Sequence, residues 1–490
     1  QDSGRFVAPG ANSPLPDVDK IINNDWPMTS ESVVEGTDEL RPLIPPKHDH
    51  LRGNDARSNA AAATIYMAAF AQAGQGPAAL ATQYLLKDYF GLGPAESAYW
   101  LSFHSIGWVI KPLWGFISDS LPILGEHRRP YMIIVSTIGA GAFFYYGYVT
   151  SLRQFVMILI LTNACMSFLS VIAQALLVQR SGKESLHGAS FNFSSYFIVK
   201  LTCGAICTYA AGLSLERMPA RSALMLIALL FIPVLLISPW MQETPSAEAL
   251  HPLDQMAIVR RLYARREVWG TTLYIFVFCS MPNAASAMFF FNVDTLHFSE
   301  SFISIISLCA SAASVCGLVI YHNFFTEVPF RRLFGVATLA CVLVSLTPLI
   351  QVFRINRQYG IDDQVFALVD TFIITAVIEV LWIPMLVLAS RLCPRTVEGT
   401  TYALFLSIHN LGLWMSGVNS WALTQALGVS RDNLQNLWKL IVLCSLSMLI
   451  PLCLLPLVPA GDPETMREQS SSEVSTPTTM DPADAEANKG

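Results

Sequence analysis

Long apolar stretches recur along most of the sequence and leave few ways for the chain to fold. An α-helix needs about 20 such residues to cross the hydrocarbon core of a bilayer, where its backbone must pair internally. Of the 490 residues, 53% are hydrophobic and 13% charged, against about 25% charged in soluble proteins. The predicted spans are 64–86, 98–117, 130–149, 154–178, 191–213, 221–241, 269–291, 299–321, 333–353, 365–390, 399–425 and 435–458. We therefore predict an all-α membrane protein with about twelve transmembrane helices.

Polar segments divide the sequence into five parts. Residues 1–58 and 459–490 are polar and predict disordered cytoplasmic tails. The longest internal polar segment, 242–268, separates an N-terminal six-helix half at 59–241 from a C-terminal six-helix half at 269–458. The linker contains four arginines in a helical pattern, which predicts a cytoplasmic helix on the membrane surface. A site for lipid head groups or for regulation is the alternative interpretation of the linker.

Basic residues are unevenly distributed between the two sets of loops. The set that includes Arg128, Arg129 and the linker arginines is richer in Lys and Arg than the other set. The positive-inside rule places that set, and with it both termini, in the cytoplasm. A plastid transit peptide is poor in acids, whereas 1–58 contains many. This difference mildly favours the plasma membrane, with an organelle membrane as the alternative.

The segment 107–131 joins the second and third predicted spans through a charged turn. Gly115 and Asp119 close the second span, and Arg128 and Arg129 open the third. A glycine lets two helices approach closely, and Asp119 can pair with either arginine. Such a charge cluster can hold one conformation and release it in another. We interpret these four residues as gating residues.

The same segment resembles the loop between the second and third helices of the major facilitator superfamily. Its string from Lys111 to Tyr131 is more specifically similar to that of the folate–biopterin transporter family. Matching pieces elsewhere are Gln75-Gly76, Leu86-Lys87-Asp88, Gly91-Leu92-Gly93-Pro94-Ala95, Phe366-Ala367-Leu368 with Asp370, Arg391-Leu392-Cys393-Pro394 and Asn410-Leu411-Gly412. The resemblance covers most of 64–458. It implies a secondary transporter with two related halves, alternating access and a pteridine substrate such as folate or biopterin, driven by a proton gradient.

The chain departs from the family pattern in its fourth predicted span. The family often has Asp-Ala-Leu-Val-Val-Glu there, whereas this sequence has amides in place of both acids, Gln174 and Gln179. Lys200 stands where the family usually has Arg, and Glu379 where it more often has Gln. These changes leave the fold expectation intact but open an alternative substrate, another zwitterionic metabolite such as an amino-acid or nucleoside derivative.

Charged side chains within the spans are candidates for function, because a charge at mid-membrane costs about 2.5–3.5 kcal/mol on insertion scales. Lys200 can bind a substrate carboxylate, or else pair with Glu379 or Asp370, or snorkel. Glu379 can accept hydrogen bonds from a pterin, carry the coupling proton, or form an internal ion pair. Asp370, near the outer end of the tenth span, can meet the arriving substrate or solvate the helix start. Gln174 and Gln75 complete the predicted substrate-binding set.

Motifs of catalysis and metal binding are missing from the sequence. It has no HExxH, P-loop or GxSxG motif and no Cys-x-x-Cys framework in polar context. The ten cysteines lie mostly in apolar runs, which is typical of packing. We therefore expect no enzyme activity, cofactor or metal. The modest net charge of −6 suggests no nucleic-acid partner. The expected partners are a small-molecule substrate, the bilayer and, in a coupled mechanism, protons. A non-transporting receptor or scaffold on the same fold is the alternative class.

Overall fold

The computed structural model describes residues 62–181, 186–241, 265–326, 328–392 and 398–459, together with Arg260 and Tyr263. Within these residues the structure is helical, and its single β-bridge joins Ile123 to Glu126. The predicted tails and nearly all of the predicted linker lie outside the described residues, so those boundaries stay predictions.

The first half follows the predicted order of spans closely. Its helical stretches are α1 (62–72, Gln75–Tyr84 and the π-helical turn Leu85–Tyr89), α2 (Pro94–Ser102, Phe103–Ser105, Ile106–Val109 and Lys111–Ser120), α3 (Arg129–Tyr145 and Tyr146–Tyr148), α4 (Leu152–Ser181), α5 (Leu186–Leu215) and α6 (Ala220–Leu226, Ile227–Phe231, Ile232–Ile237 and Ser238–Trp240).

The second half repeats this arrangement. Its helical stretches are α7 (Arg266–Cys279, Ala285–Phe290 and the π-helical turn Phe291–Thr295), α8 (Glu300–Phe324), α9 (Phe330–Val344 and Pro348–Val352), α10 (Asp363–Arg391), α11 (Glu398–Ala426) and α12 (Leu437–Ser447 and Ile450–Leu457).

Prolines explain several helix starts and interruptions. Pro94 and Pro130 lie in the first turns of α2 and α3, where the missing N–H removes no intrahelical bond. Pro233 and Pro239 follow irregular turns of α6, since an interior proline cannot donate to the carbonyl four residues earlier and its ring clashes there.

Seven of the described stretches are long and apolar enough to cross a membrane. They are Leu152–Leu177, Ser195–Leu215, Ala220–Trp240, Glu300–Phe324, Phe330–Val352, Asp363–Ala389 and Leu437–Leu457. Three other predicted spans are helical but interrupted, α1 at 73–74, α2 at Ile110 and α7 at 280–284. The predicted all-α multi-pass fold is confirmed, whereas length and hydropathy identify only part of the twelve predicted spans.

Each half has its own apolar core, and two pairs of helices form the most extensive contacts between the halves. Phe155, Tyr196 and Phe231 are fully buried in the first core, and Tyr274 stacks on Phe334 in the second, with ring centroids 5.3 Å apart. Between the halves, α2 packs along α11 and α5 packs along α8. The two seams therefore use equivalent helices, the second with the eleventh and the fifth with the eighth.

Candidate functional site

A charged cluster joins the two halves where α1 and α7 end. The Lys87 ammonium lies 2.8 Å from one Asp294 carboxylate oxygen, and Arg431 Nε lies 3.5 Å from the other. Arg431 also donates to the Lys87 backbone carbonyl at 3.4 Å. The Lys87 side chain is only 6% exposed, so its ion pair is shielded from solvent. We call Lys87, Asp294 and Arg431 the closing cluster.

The helix ends that carry this cluster have the same unusual shape in both halves. Each helix ends in a π-helical turn that carries an acidic residue. The turn of α1 is Leu85–Tyr89 and contains Asp88, and the turn of α7 is Phe291–Thr295 and contains Asp294. Single π-helical turns are rare and frequently mark functional positions in helices. Beneath them, Tyr84 of α1 packs edge-to-face on Phe289 of α7, with ring centroids 5.1 Å apart. The closing cluster and the Tyr84–Phe289 pair below it together close this end of the helix bundle.

A polar network connects the four helices α1, α2, α4 and α5 inside the first half. Gln72 Nε2 donates to the Tyr196 hydroxyl at 2.8 Å, and that hydroxyl also hydrogen-bonds Ser170. Gln174 Nε2 donates to Ser170 Oγ at 3.2 Å, and Lys111 Nζ donates to Gln174 Oε1 at 3.4 Å. These contacts orient the Gln174 amide with its oxygen toward Lys111. Buried polar groups in apolar surroundings are costly unless paired in this way.

Lys200 lies on α5, the helix that supplies Tyr196 to this network. It is half-buried, four residues after Tyr196 and so about one helical turn along the same helix. Among the described residues, Lys200 forms no ion pair with Glu379 or Asp370. The alternative interpretation of Lys200 as half of an internal ion pair is therefore not what the structure shows.

Glu379 and Asp370 are held by hydroxyl groups on neighbouring helices. Glu379 on α10 hydrogen-bonds Ser314 of α8, and Asp370 accepts a hydrogen bond from Thr347 at the α9 break. Gly317 lets α8 approach α10 at this level, since a Cβ added there would lie 2.7 Å from Glu379 Cβ. Gln75 begins the second segment of α1, directly after its interruption. The structure therefore separates the predicted binding set into a basic group on one half and an acidic group on the other.

The predicted gating residues surround the loop between α2 and α3. Leu124 and Gly125 both have positive φ, 55° and 79°, and reciprocal backbone hydrogen bonds join Ile123 to Glu126. Two such residues in succession form the tight turn typical of two-residue hairpins. The turn places Glu126 so that its carboxylate lies 2.9 Å from Arg129 Nε.

Arg128 and Arg129 occupy different environments in this loop. Arg129 also donates to the Met241 carbonyl at 3.4 Å, which ties the loop to the end of α6, while Arg128 is buried. Asp119 ends α2, and its side chain lies outside the described part. A Cβ at Gly115 would meet Val171 at an ordinary 3.9 Å, whereas one at Gly107 would lie 2.5 Å from the Ala164 backbone. The close helix approach expected at Gly115 is therefore found at Gly107, between α2 and α4.

An aromatic pair lines a small pocket in the second half. The rings of Trp382 on α10 and His409 on α11 lie 4.1 Å apart, centroid to centroid. The remaining lining is apolar and comprises Ile275, Met385, Leu386, Ala389, Phe405 and Leu406. A flat aromatic surface of this kind can stack a planar heterocycle.

Comparison with known proteins places the chain in a family. A model described as the BT1 family matches residues 73–477, which is most of the chain. The chain belongs to the BT1 family. Among curated BT1 relatives, the folate-biopterin transporter of Synechocystis is 33% identical over 399 residues, covering 81% of each chain. Folate transporter 2 of Plasmodium falciparum is 29% identical over 385 residues, covering 78% of this chain and 84% of the relative.

Solved structures extend the comparison of this BT1 chain to its fold. The nucleoside transporter NupG has a TM-score of 0.64 at 15% identity, covering 81% of this chain and 98% of the other. A D-xylose-proton symporter has a TM-score of 0.60 at 15% identity, covering 82% and 98%. These likenesses confirm the predicted major facilitator fold.

The closing cluster is the part of the candidate site that the sequence analysis missed. Lys87 is noticed there only as part of a family match, and Asp294 and Arg431 are not singled out. Comparing the two halves would have identified Asp294, because Asp88 and Asp294 occupy the same position in the two π-helical turns. Glu126, which pairs with Arg129, is signalled by their spacing of three residues.

Proposed function

We propose that this BT1 family member is a secondary active transporter that moves folate, biopterin or a related pteridine across a membrane. The observation that carries the proposal is the family match over 73–477, together with curated relatives named as folate and folate–biopterin transporters. The fold supports it, since two similar halves that meet along two helix seams are suited to alternating access.

Substrate would bind between the halves, near the polar groups that line the helices at mid-membrane. On the first half these are Lys111, Lys200 and Gln174, and on the second half Glu379 and the Trp382–His409 pair. Polar groups at this depth are costly unless they serve a substrate or ion pathway. A pteridine ring can hydrogen-bond a carboxylate and stack on an aromatic face, so its chemistry matches the second-half groups.

Alternating access requires one seal on each side of the binding region. The closing cluster provides the seal at the end of α1 and α7, which we assign to the outer side from the distribution of basic loops. Asp119, Arg128 and Arg129, with Glu126, would act at the opposite, cytoplasmic side, where both termini also lie. Each seal would open when the other forms.

Uptake into proteoliposomes tests the proposed function directly. Purified protein is reconstituted, and accumulation of radiolabelled folic acid and biopterin is measured with and without an imposed proton gradient. We expect saturable uptake of at least one compound, stimulated by the gradient. Absence of uptake of both compounds by correctly inserted protein would reject the pteridine assignment and leave the fold standing.

The Glu379→Gln variant tests whether this carboxyl carries the coupling proton. Glu379 contacts a hydroxyl and no cation within the described residues, so a proton can neutralise it. Glutamine keeps the shape but cannot exchange a proton, so we expect loss of gradient stimulation with substrate exchange preserved. Asp432→Asn, at an exposed loop carboxylate, is the control and should behave as wild type. Gradient stimulation that persists in Glu379→Gln would exclude this residue as the proton carrier.

A further inference from the structure

The seventh helix is divided in two by its interruption at 280–284. Pro282 has no N–H and cannot donate a backbone hydrogen bond, and regular helix resumes only after the break. Residues 285–295, which we call the gate segment, bring Phe289 and Asp294 to the closed end of the bundle. The position of the gate segment therefore depends on how the break is held.

Two carbonyl groups in the break are bonded by side chains of α11. Asn419 Nδ2 donates to the Ser280 carbonyl at 2.8 Å. Ser416 Oγ donates to the Met281 carbonyl at 2.6 Å. A helix end leaves such carbonyls without an intrahelical donor, and burying them is costly unless another group bonds them. These α11 side chains take the place of the missing helical bonds.

Asn283 is bonded to α11 through both its backbone and its side chain. Its N–H donates to Ser420 Oγ at 2.9 Å, and its Nδ2 donates to Ser416 Oγ at 3.1 Å. Its Oδ1 accepts from the N–H of Ala285, the first residue of the gate segment, at 3.1 Å. The two serines are 5% and 1% exposed, so these bonds are shielded from water. Asn283 thus ties the start of the gate segment to α11.

The interruption of α1 is held in a different way. Backbone hydrogen bonds of the helical type cross it. The Ala73 N–H donates to the Ala69 carbonyl at 3.1 Å. The Ala78 N–H donates to the Gly74 carbonyl at 3.0 Å. α1 therefore keeps its own direction through the interruption, whereas α7 takes its direction at the break from α11.

The α11 residues that bond the break also lie next to the seam between the halves. Gly417, adjacent to Ser416, packs so closely on α2 that an added Cβ would lie 3.0 Å from the Ala98 carbonyl oxygen. A movement of α11 relative to α2 would therefore act on the break, and through it on the gate segment.

We propose that Ser416, Asn419 and Ser420, which we call the polar row of α11, are positioning residues that hold the gate segment against α1 and keep this end of the protein closed. The inference rests on the proposed function and adds to it the residues that regulate its outer seal. The row acts through the break, since Asp294 of the closing cluster lies about three helical turns beyond Asn283.

Two variants and one control test the role of the polar row. Ser416→Ala combined with Ser420→Ala removes both hydroxyl groups that bond the break, and Asn419→Leu removes the amide while keeping a side chain of similar volume. Ser447→Ala on α12 is the matched control, because the Ser447 hydroxyl bonds a carbonyl of its own helix, at 2.6 Å.

Two reporter cysteines separate opening of the gate from loss of folding. Ala367→Cys lies in the buried cluster that includes Phe289 and Phe290 of the gate segment, whereas Ala337→Cys lies in the core of the second half. The two alanines are similarly buried, at 5% and 6% exposure. The rate of alkylation of each cysteine is measured by mass spectrometry in the row variants, the control and the otherwise unchanged protein, alongside folic acid and biopterin uptake.

Faster alkylation at position 367 with unchanged alkylation at position 337 is the result expected. Removing hydrogen bonds from buried groups should shift the population about tenfold towards the open state and raise the rate at 367 by about that factor. The maximal rate of uptake should fall about tenfold, because the transport cycle requires this end to close again. Ser447→Ala should match the unchanged protein in every measurement.

Two results would overturn the inference. Equal rises at both positions would show that the polar row stabilises the fold as a whole, and unchanged alkylation at position 367 would show that the row does not hold the gate segment. Alkylation requires no substrate, so it tests the row even where wild-type protein takes up neither folic acid nor biopterin, the result that would reject the proposed function.

Discussion

Replacing Asp294 by Asn should reduce uptake about tenfold by weakening the seal between α1 and α7. Asp294 is the single acid that contacts both Lys87 and Arg431 within the described residues, and Lys87 is almost fully buried. Breaking a buried ion pair from one side costs about 3–5 kcal/mol, but Asp294 is 24% exposed and Asp88 remains 3.0 Å from Lys87. A discounted cost of about 1.4 kcal/mol corresponds to a tenfold shift away from the closed state.

Cysteine labelling separates loss of the seal from loss of folding in Asp294→Asn. Ala367 is 5% exposed within the aromatic cluster beneath the seal, so Ala367→Cys should react with an alkylating reagent only when this end opens. We expect the Asp294→Asn change to raise alkylation at position 367, quantified by mass spectrometry, and Asp432→Asn to leave it unchanged. The double change Lys87→Met with Asp294→Asn should be no worse than Asp294→Asn alone, because it also removes a buried charge that has only Asp88 left as its partner. Additive losses would show that the two residues act separately.

The helical architecture was predictable from the sequence because each spanning helix forms its backbone hydrogen bonds internally. Such a helix can be recognised from the length and hydropathy of its own segment. Leu152–Ser181 and Asp363–Arg391 fall on predicted spans for this reason. The interruptions of α6 follow from Pro233 and Pro239, whose effects are also local. Predictions of this kind need no knowledge of which helices are neighbours.

Contacts between helices were less predictable, because they depend on rotation and depth as well as position in the sequence. Gln174 is a candidate from its position in the fourth span, but its partner Lys111 comes from another helix and is not what the sequence analysis expects. The sequence likewise shows that α2 contains small residues but not which of them faces α4, so Gly107 and not Gly115 makes the close approach. Charge identifies candidate residues, and packing decides which of them meet.

The same packing argument gives a large expected effect at the seam between α2 and α11. A Cβ on Gly417 would lie 2.2 Å from Ser102 Cβ and 3.0 Å from the Ala98 carbonyl oxygen, so α11 would have to move away from the α2 backbone. Forcing extra atoms into a packed interface costs about 1–3 kcal/mol, and at this site the strain falls on the contact between the halves. We expect Gly417→Val to abolish most uptake, by more than about tenfold, and Gly417→Ala to have an intermediate effect.

Two further glycine variants, one at the α5–α8 seam and one at an open position on α3, test whether the effect is specific to close helix contacts. A Cβ on Gly212 of α5 would lie 2.5 Å from Ser304 Cβ of α8, so Gly212→Val should impair uptake in the same way. Gly141 on α3 has no atom within 4 Å of an added Cβ, and Gly141→Val should retain wild-type uptake. Thermal unfolding of the purified proteins in detergent separates the causes. Lost uptake by a variant that still unfolds cooperatively would place the defect in the movement of the halves. Normal uptake by Gly417→Val would show that α2 and α11 do not need to approach this closely during transport.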